Sequence, residues 1–223
     1  MAFAKQGADV CVSARSREEI EEVAAEISAL ERKSVAKVCD VADRQAVQTM
    51  IDSAAEQLGG IDVLVNNAGG GMERNRVGND DPETWARVVE VNLLGTYYCA
   101  RAALPHLKKA GGGHIINVGS GMGHQDLPGN SSYNAAKAGV WMLTRCLALE
   151  AWQDNITVNE LVPGPVYTQL TSNVFSPDTA HPAYESEWVK RPEDVVPLAL
   201  FLATQPFQGA TGQSFSLARR PIN

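Results

Sequence analysis

Two side chains at the start of a predicted long helix have the types and the spacing for proton transfer. Tyr133 and Lys137 stand four residues apart, in Tyr-Asn-Ala-Ala-Lys, which puts both on one face of a helix. A tyrosine acts as a general acid or base near neutral pH when its pKa is lowered, and a neighbouring ammonium does this because it favours the phenolate. This spacing also arises by chance, and a solvated pair of helix residues is the alternative interpretation.

Hydroxyl and amide groups follow two of the predicted strands, at the point where each strand ends. Ser120 comes after the run 114–118, and the segment Asn66–Gly69 follows the apolar run 61–65. Ligands of parallel sheets bind at the carboxyl ends of the strands, so the Ser120 hydroxyl is placed to donate to a substrate carbonyl oxygen. The small and amide residues of 66–69 let a nucleotide approach the backbone closely. Ordinary turns are the alternative for both segments.

The elements that position these groups alternate along the chain. Short β-branched runs predict strands at 9–13, 34–38, 61–65, 114–118, 156–159 and 213–217. Helical patterns lie between the strands, from Ser16 to about Leu30, Asp43 to Gly59, Pro82 to about Lys109, Ser132 to Gln153 and Pro192 to Thr204. The segment 166–190 is predicted to be irregular. This alternation predicts parallel βαβ units with right-handed crossovers. We therefore expect a single α/β domain over residues 1–223, a three-layer, doubly wound, Rossmann-like parallel sheet.

Composition restricts the partners and the compartment. The chain has 223 residues, 44% of them hydrophobic, and a formal net charge of −7, so its acidic surface disfavours nucleic acid and anionic membranes. No apolar run is long enough to span a bilayer. The four cysteines are scattered, which is typical of reduced thiols in a cytoplasmic protein. No metal site is predicted, and His106, His114 and His124 are expected in loops or at the surface.

The motifs together resemble the classical short-chain dehydrogenase/reductase family, and within it the 3-oxoacyl-carrier-protein reductase type. They occur in the family's order and spacing, as Asn66-Asn67-Ala68-Gly69, Asn92 in Val-Asn-Leu-Leu-Gly, Ser120, Tyr133-x-x-x-Lys137 and Pro163-Gly164-Pro165-Val166-x-Thr168. The resemblance extends over nearly the whole chain. It implies a nicotinamide-dependent oxidoreductase that interconverts a small-molecule ketone and a secondary alcohol. It also implies a homodimer or homotetramer that pairs through the helices 82–109 and 132–153.

The resemblance assigns roles to four catalytic residues. Tyr133 would exchange a proton with the substrate oxygen. Lys137 would lower the pKa of Tyr133 and hold the hydroxyls of the nicotinamide ribose. Ser120 would polarise and orient the carbonyl. Asn92 would hold a water molecule that relays protons toward Lys137.

The resemblance also implies a cofactor-binding set. It comprises Arg15, Asp40, Val41, Asn67, Ala68, Gly69, Tyr133, Lys137, Pro163, Gly164, Val166 and Thr168. The segment from Pro163 would bind the nicotinamide amide, with Thr168 near the pyrophosphate. The carboxylate of Asp40 would face the adenine amino group, and a helix cap is the alternative for that residue.

Cofactor preference depends on the residues that follow the strand 9–13. An NAD site usually has an acidic residue here, on the ribose 2′-hydroxyl, whereas this chain has Ala14 followed by Arg15. A carboxylate would repel a 2′-phosphate, and a guanidinium with Ser13 and Ser16 nearby would bind it. The sequence therefore favours NADP(H) over NAD(H). An ordinary loop charge is the alternative for Arg15.

The family's first strand and its glycine-rich loop do not occur in this sequence. That strand would lie between the strands 9–13 and 61–65, so each of these is expected to expose an unpaired edge. Three explanations are open: a misassigned start within a longer enzyme, a truncated product that binds cofactor poorly, and a gap filled by another segment or a partner. The last two lead to a second hypothesis, a non-catalytic relative with a binding or assembly role.

Overall fold

Helices and strands alternate along the chain in the computed structural model, which describes residues 1–70, 74–181 and 184–219. The strands are β1 (Val10–Ala14), β2 (Ser34–Val38), β3 (Val63–Asn66), β4 (Gly113–Val118), β5 (Ile156–Val162), β6 (Ala180–His181), β7 (Tyr184–Trp188) and β8 (Ser214–Ser216). The α-helices are α1 (Ala2–Lys5), α2 (Arg17–Ser28), α3 (Arg44–Leu58), α4 (Pro82–Val89), α5 (Gly95–Ala110), α6 (Ser131–Ala151) and α7 (Val196–Thr204). A π-helical turn, Glu90–Leu94, joins α4 to α5, and 3-10 turns occupy Gly121–Gly123, Trp152–Asp154, Gln169–Thr171 and Pro192–Val195.

The strands form two parallel sheets and one hairpin. Strands β1 and β2 pair in parallel, and a second parallel sheet has the order β3-β4-β5-β8. Within the described ranges β1 has no ladder with β3, so each strand has one unpaired edge. Val65 on β3 is 39% exposed, so this apolar strand is not covered completely on both faces.

Apolar side chains cover both faces of the larger sheet. On one face Ile115 and Val158 pack against residues of α3, α5 and α6, among them Leu107. On the other face Ile116 and Leu161 pack against Leu202 of α7. Neighbouring residues of β4 and β5 thus point to opposite helix layers, as pleating requires. The α/β fold with helices on both sides of a parallel sheet is confirmed.

Local signals fix several helix ends where the sequence predicts them. The Asp43 carboxylate accepts from the backbone N–H groups of Gln45 and Ala46, so it caps α3, and Gly59 ends this helix with a φ of 90°. Asp81 caps α4 in the same way, with Pro82 in the first turn. Among the described residues, no helix is both long and apolar enough to cross a membrane.

Three predicted elements differ from the structure. The helix predicted from Pro82 to Lys109 consists of two α-helices separated by the π-helical turn, and β5 continues to Val162 rather than ending at 159. The segment 166–190 is not irregular throughout, because it contains a 3-10 turn and the β6–β7 hairpin. The π-helical turn has no signature in the hydropathy pattern, which continues unbroken across it.

Two glycines allow close packing around the π-helical turn. A Cβ on Gly95 would lie 2.7 Å from a methyl carbon of Val41, and a Cβ on Gly139 of α6 would lie 2.7 Å from a methyl carbon of Leu93. The turn is therefore held between the segment after β2 and the helix that contains Tyr133 and Lys137.

Candidate active site

The Lys137 side chain is almost completely buried beneath the end of β4. Its Nζ donates a hydrogen bond of 2.9 Å to the carbonyl oxygen of Val118, one residue before Gly119 and two before Ser120. Burial lowers the pKa of Lys137 to about 8, and the negative charge of Glu160 opposes this shift. The ammonium is therefore close to losing its proton near neutral pH, which is unusual for a lysine.

The hydroxyl groups of Ser120 and Tyr133 lie close enough to interact. The Ser120 oxygen also accepts from the backbone N–H of Met122, at 3.1 Å, which orients the hydroxyl. Burial raises the pKa of Tyr133, and the hydrogen bond with Ser120 partly offsets this effect. Lys137 does not lower the pKa of Tyr133 in this structure, contrary to the prediction. The Lys137 Nζ lies 5.7 Å from the centre of the Tyr133 ring and donates to Val118 instead.

Asn92 lies in the π-helical turn, fully buried, and holds the segment after β3. Its Nδ2 donates to the carbonyl oxygens of Gly70 and Val88, both at 2.9 Å, and its Oδ1 accepts from the Gly70 N–H at 3.3 Å. A Cβ on Gly69 would lie 2.7 Å from the Asn92 Oδ1 and 3.4 Å from the Lys137 Nζ. Gly69 therefore lies against both of these predicted site residues.

A buried polar network fixes the strand ends that the site occupies. Asn66 of β3 donates to the Oδ1 of Asn117 at 2.8 Å, and Asn117 donates to the Thr144 hydroxyl of α6 at 2.9 Å. Thr144 in turn donates to the Val140 carbonyl oxygen at 2.8 Å. The network ties β3, β4 and α6 together directly behind Ser120. Asn117 and Thr144 are not among the predicted site residues, although a polar residue inside an apolar strand is a signal for such a network.

The predicted nicotinamide segment follows β5 and is held by Lys190. The Lys190 N–H donates to the Pro165 carbonyl oxygen, and its own carbonyl oxygen accepts from the Tyr167 N–H. Gly164 has a φ of 71°, a left-handed conformation that favours glycine. The Thr168 N–H donates to the Thr171 hydroxyl at 2.9 Å. The backbone from Pro163 to Thr168 is thus fixed at the same sheet edge as Ser120.

A second group of predicted residues surrounds the ends of β1 and β2. Asp40 accepts from the Ala42 N–H at 3.0 Å and forms an ion pair with Arg87 of α4. Those two hydrogen bonds, together with the charges of Arg87 and Arg15, lower the Asp40 pKa. Asp40 is not a helix cap, because Asp43 has that role. Arg15 is exposed directly after β1, next to Ala14.

His114 lies in β4 and is buried, which contradicts the expectation of a loop or surface position, whereas His124 lies in the predicted loop but its side chain is buried. The His114 ring is buried and lies 2.8 Å from the Thr157 hydroxyl. The His124 side chain is 4% exposed, and its Nε2 lies 2.9 Å from a carboxylate oxygen of Glu160, which is fully buried in β5. The predicted strand 156–159 ended one residue too early to include Glu160.

The residues present fit a nicotinamide dinucleotide. Asn67, Ala68 and Gly69 are exposed at the end of β3, so their backbone is accessible to a ligand. Lys137 has donor capacity beyond its bond to Val118, since an ammonium has three N–H groups. Arg15 provides an exposed guanidinium directly after β1.

Comparison with known proteins matches the chain to one family. The family profile described as "short chain dehydrogenase" matches residues 1–179. The 3-oxoacyl-[acyl-carrier-protein] reductase FabG of Thermotoga maritima is 33% identical over 213 residues, which are 95% of this chain and 86% of the relative.

Solved structures are similar over almost the whole chain. A carveol dehydrogenase from Mycobacterium avium in complex with NAD is 29% identical, with a TM-score of 0.87 over 96% of this chain and 88% of its own. A gluconate 5-dehydrogenase from Burkholderia cenocepacia in complex with NADP and tartrate is 26% identical, with a TM-score of 0.87 over 98% of this chain and 87% of its own. Both nicotinamide dinucleotides thus occur among the structural relatives.

Proposed function

The chain belongs to the short-chain dehydrogenase family and is an oxidoreductase, and from this premise we propose that it interconverts a ketone and a secondary alcohol with NADP(H). The observation that carries the proposal is a continuous set of contacts at one sheet edge. The Ser120 hydroxyl interacts with Tyr133, Lys137 lies beside the Tyr133 ring, and Gly69 lies against Lys137 and Asn92.

Tyr133 and Ser120 are the proposed proton-transfer pair. The Ser120 oxygen accepts from the Met122 N–H, so its own proton is available to Tyr133 or to a substrate carbonyl oxygen. In the direction of reduction Tyr133 gives its proton to that oxygen, and in oxidation it takes the proton back. The hydrogen bond from Ser120 stabilises the phenolate, which is the form that follows proton donation.

Lys137 and Asn92 are the proposed supporting residues. Lys137 donates to the ribose hydroxyls of the cofactor, while its bond to Val118 fixes its direction. Asn92 holds Gly70 and so shapes the backbone after β3. The bound nicotinamide supplies or accepts the hydride.

Preference for NADP(H) is proposed from the charges around Asp40. Asp40 is already paired with Arg87, and Arg15 is a second guanidinium within electrostatic range. Arg87 is shared between Asp40 and Glu90, so the exposed Arg15 is the guanidinium placed to bind a 2′-phosphate, which it favours over a hydroxyl. The remaining cofactor contacts are assigned to Val41, to Asn67–Gly69 and to the segment from Pro163 to Thr168.

Replacement of Tyr133 with Phe tests the catalytic assignment. We expect turnover of a ketone panel with NADPH to fall about 10²- to 10⁴-fold, while NADPH binding, followed by its fluorescence, is unchanged. Tyr97→Phe, at an exposed position of α5, is the matched control and keeps full activity. Equal turnover in Tyr133→Phe and the control would contradict the assignment.

Replacement of Arg15 with Glu tests the cofactor preference. We expect the ratio of kcat/KM with NADPH to kcat/KM with NADH to fall about tenfold or more, as for the loss of one charge-assisted hydrogen bond. Arg17→Glu, two residues away on α2, is the control and leaves the ratio unchanged. An unchanged ratio in Arg15→Glu would reassign Arg15 as a loop charge.

Assembly into a homodimer or homotetramer is a separate proposal. Val140 and Leu147 of α6 are buried within the chain, whereas Met142 is 48% exposed and Leu149 is 78% exposed. These exposed apolar residues on the long helix support pairing with a second copy. Size-exclusion chromatography with light scattering is expected to give at least a dimer, and a monomer would refute the proposal.

A further inference from the structure

A carboxylate and an imidazole are buried together beneath the loop that contains Ser120. The Glu160 side chain has no exposed surface, and its Oε2 lies 2.9 Å from the His124 Nε2. The same oxygen accepts from the hydroxyl of Ser214 on β8. The Glu160 Oε1 has no hydrogen-bond partner among the described residues.

Such an arrangement is costly for the fold. A buried carboxylate loses its hydration, and an oxygen without a donor is not compensated. A hydrophobic side chain of similar size in β5 would avoid that cost. Stability alone therefore does not account for Glu160, which points to a role in the neighbouring site.

Glu160 is in contact with the backbone that holds the two central site residues. A Cβ on Gly119 would lie 1.9 Å from the Glu160 Oε1, so Gly119 has no room for a side chain. Gly119 is the residue between Val118, whose carbonyl oxygen binds the Lys137 Nζ, and Ser120. The carboxylate thus lies directly under the link between Lys137 and Ser120.

His124 connects the same carboxylate to the 3-10 turn that follows Ser120. Its ring lies 5.2 Å from the ring of Trp141 on α6, which covers it. A Cβ on Gly123 would lie 2.7 Å from the Lys137 carbonyl carbon, so the turn packs on the helix backbone. Within the part of the chain that the structure describes, His124 from this turn and Lys137 from α6 are the titratable groups that interact with Glu160.

We propose that Glu160, hydrogen-bonded to His124, is a positioning residue: its negative charge keeps Lys137 in the ammonium form, and the pair holds residues 119–124 against β5. This inference rests on the proposed function at one point, because it takes the Lys137 ammonium to be the form that catalysis needs. Glu160 touches neither substrate nor cofactor in this role.

The charge effect is measurable without turnover. The cofactor-free full chain is labelled with [13Cε]lysine for NMR, and each of its seven lysines gives a resonance. The Lys137 resonance is assigned as the one that is lost in the Lys137→Arg variant. In Glu160→Gln, which keeps the shape of the side chain, we expect the Lys137 pKa to fall by about one unit or more. An unchanged Lys137 titration would overturn the charge part of the proposal.

A second buried glutamate provides the matched control. Glu187 is 2% exposed and its charge acts on Lys190 rather than Lys137. Glu187→Gln is therefore expected to shift the Lys190 titration and leave that of Lys137 unchanged. A shift of Lys137 in this control as large as in Glu160→Gln would mean that the effect is general and would overturn the proposal.

The positioning effect is tested by kinetics. His124→Leu is expected to lower kcat about tenfold, as for a lost charge-assisted hydrogen bond, with KM for NADPH unchanged. His124→Gln, which can still donate to Glu160, is expected to restore kcat. Equal kcat in both variants would overturn the positioning part. Absence of turnover in the unmodified chain would contradict the proposed function instead, and the lysine titration would still decide the role of Glu160.

Discussion

Replacing Lys137 with Met is expected to stabilise the protein while it abolishes activity. Burial lowers the Lys137 pKa from 10.5 to about 8, and a shift of that size corresponds to roughly 3 kcal/mol against the folded state. The variant also loses the hydrogen bond to the Val118 carbonyl oxygen, worth about 1 kcal/mol. The net expectation is a gain of about 2 kcal/mol at pH 7.

The gain depends on pH in a direction that follows from the lowered pKa. Below pH 8 the native protein must hold a buried ammonium, so the whole penalty is present. Between about 8 and 10.5 the unfolded chain binds the proton and the native protein does not, so the unmodified protein gains stability as the pH rises. The advantage of Lys137→Met therefore shrinks to near zero at about pH 10.

Urea unfolding of the cofactor-free protein, followed by tryptophan fluorescence, measures this difference at pH 7 and pH 10. Lys109→Met, at an exposed position near the end of α5, is the control and is expected to change stability by less than about 0.5 kcal/mol at both pH values. A Lys137→Met variant that is no more stable than the unmodified protein at pH 7, or whose gain is the same at pH 10, would refute the reasoning. It would mean that Lys137 is hydrated in solution.

Three further predictions follow from single contacts. Asp43→Ala removes the acceptor for two N–H groups at the start of α3 and is expected to cost about 1 kcal/mol in urea unfolding, whereas Asp43→Asn costs less than half of that. Asn117→Ala breaks two buried hydrogen bonds and is expected to cost about 2 to 4 kcal/mol, so a cost below 1 kcal/mol would mean that water replaces the side chain. Ser120→Ala removes a hydrogen bond that lowers the Tyr133 pKa, so ultraviolet titration is expected to show the Tyr133 phenolate forming at higher pH than in the unmodified protein.

Much of the fold could be predicted because its signals are local. The caps at Asp43 and Asp81, the left-handed glycine at Gly59 and the apolar runs each act within a few residues of the element they define. Their order along the chain then predicts the parallel sheet. The motif residues at the carboxyl ends of the strands lie where this topology places them.

The features that could not be predicted depend on contacts between distant segments. The π-helical turn is packed between Val41 and Gly139, which are far from it in sequence. The burial of His124 requires Glu160, from a strand 36 residues further along. The raised pKa of Tyr133 likewise follows from burial in the folded chain, which helix spacing does not reveal.

Substitutions and deletions in the π-helical turn are expected to affect the site differently. Its i→i+5 hydrogen bonds accommodate one residue more than an α-helical turn, and this extra residue changes the direction in which the side chains of the turn point. Substitutions at its surface leave the direction of Asn92 intact, whereas deletion of a residue next to Asn92 would turn its side chain away from Gly70. Insertions and deletions here are therefore expected to be far more damaging than substitutions. A redesign that regularises α4 and α5 into one ideal helix would lose the site while improving helix geometry.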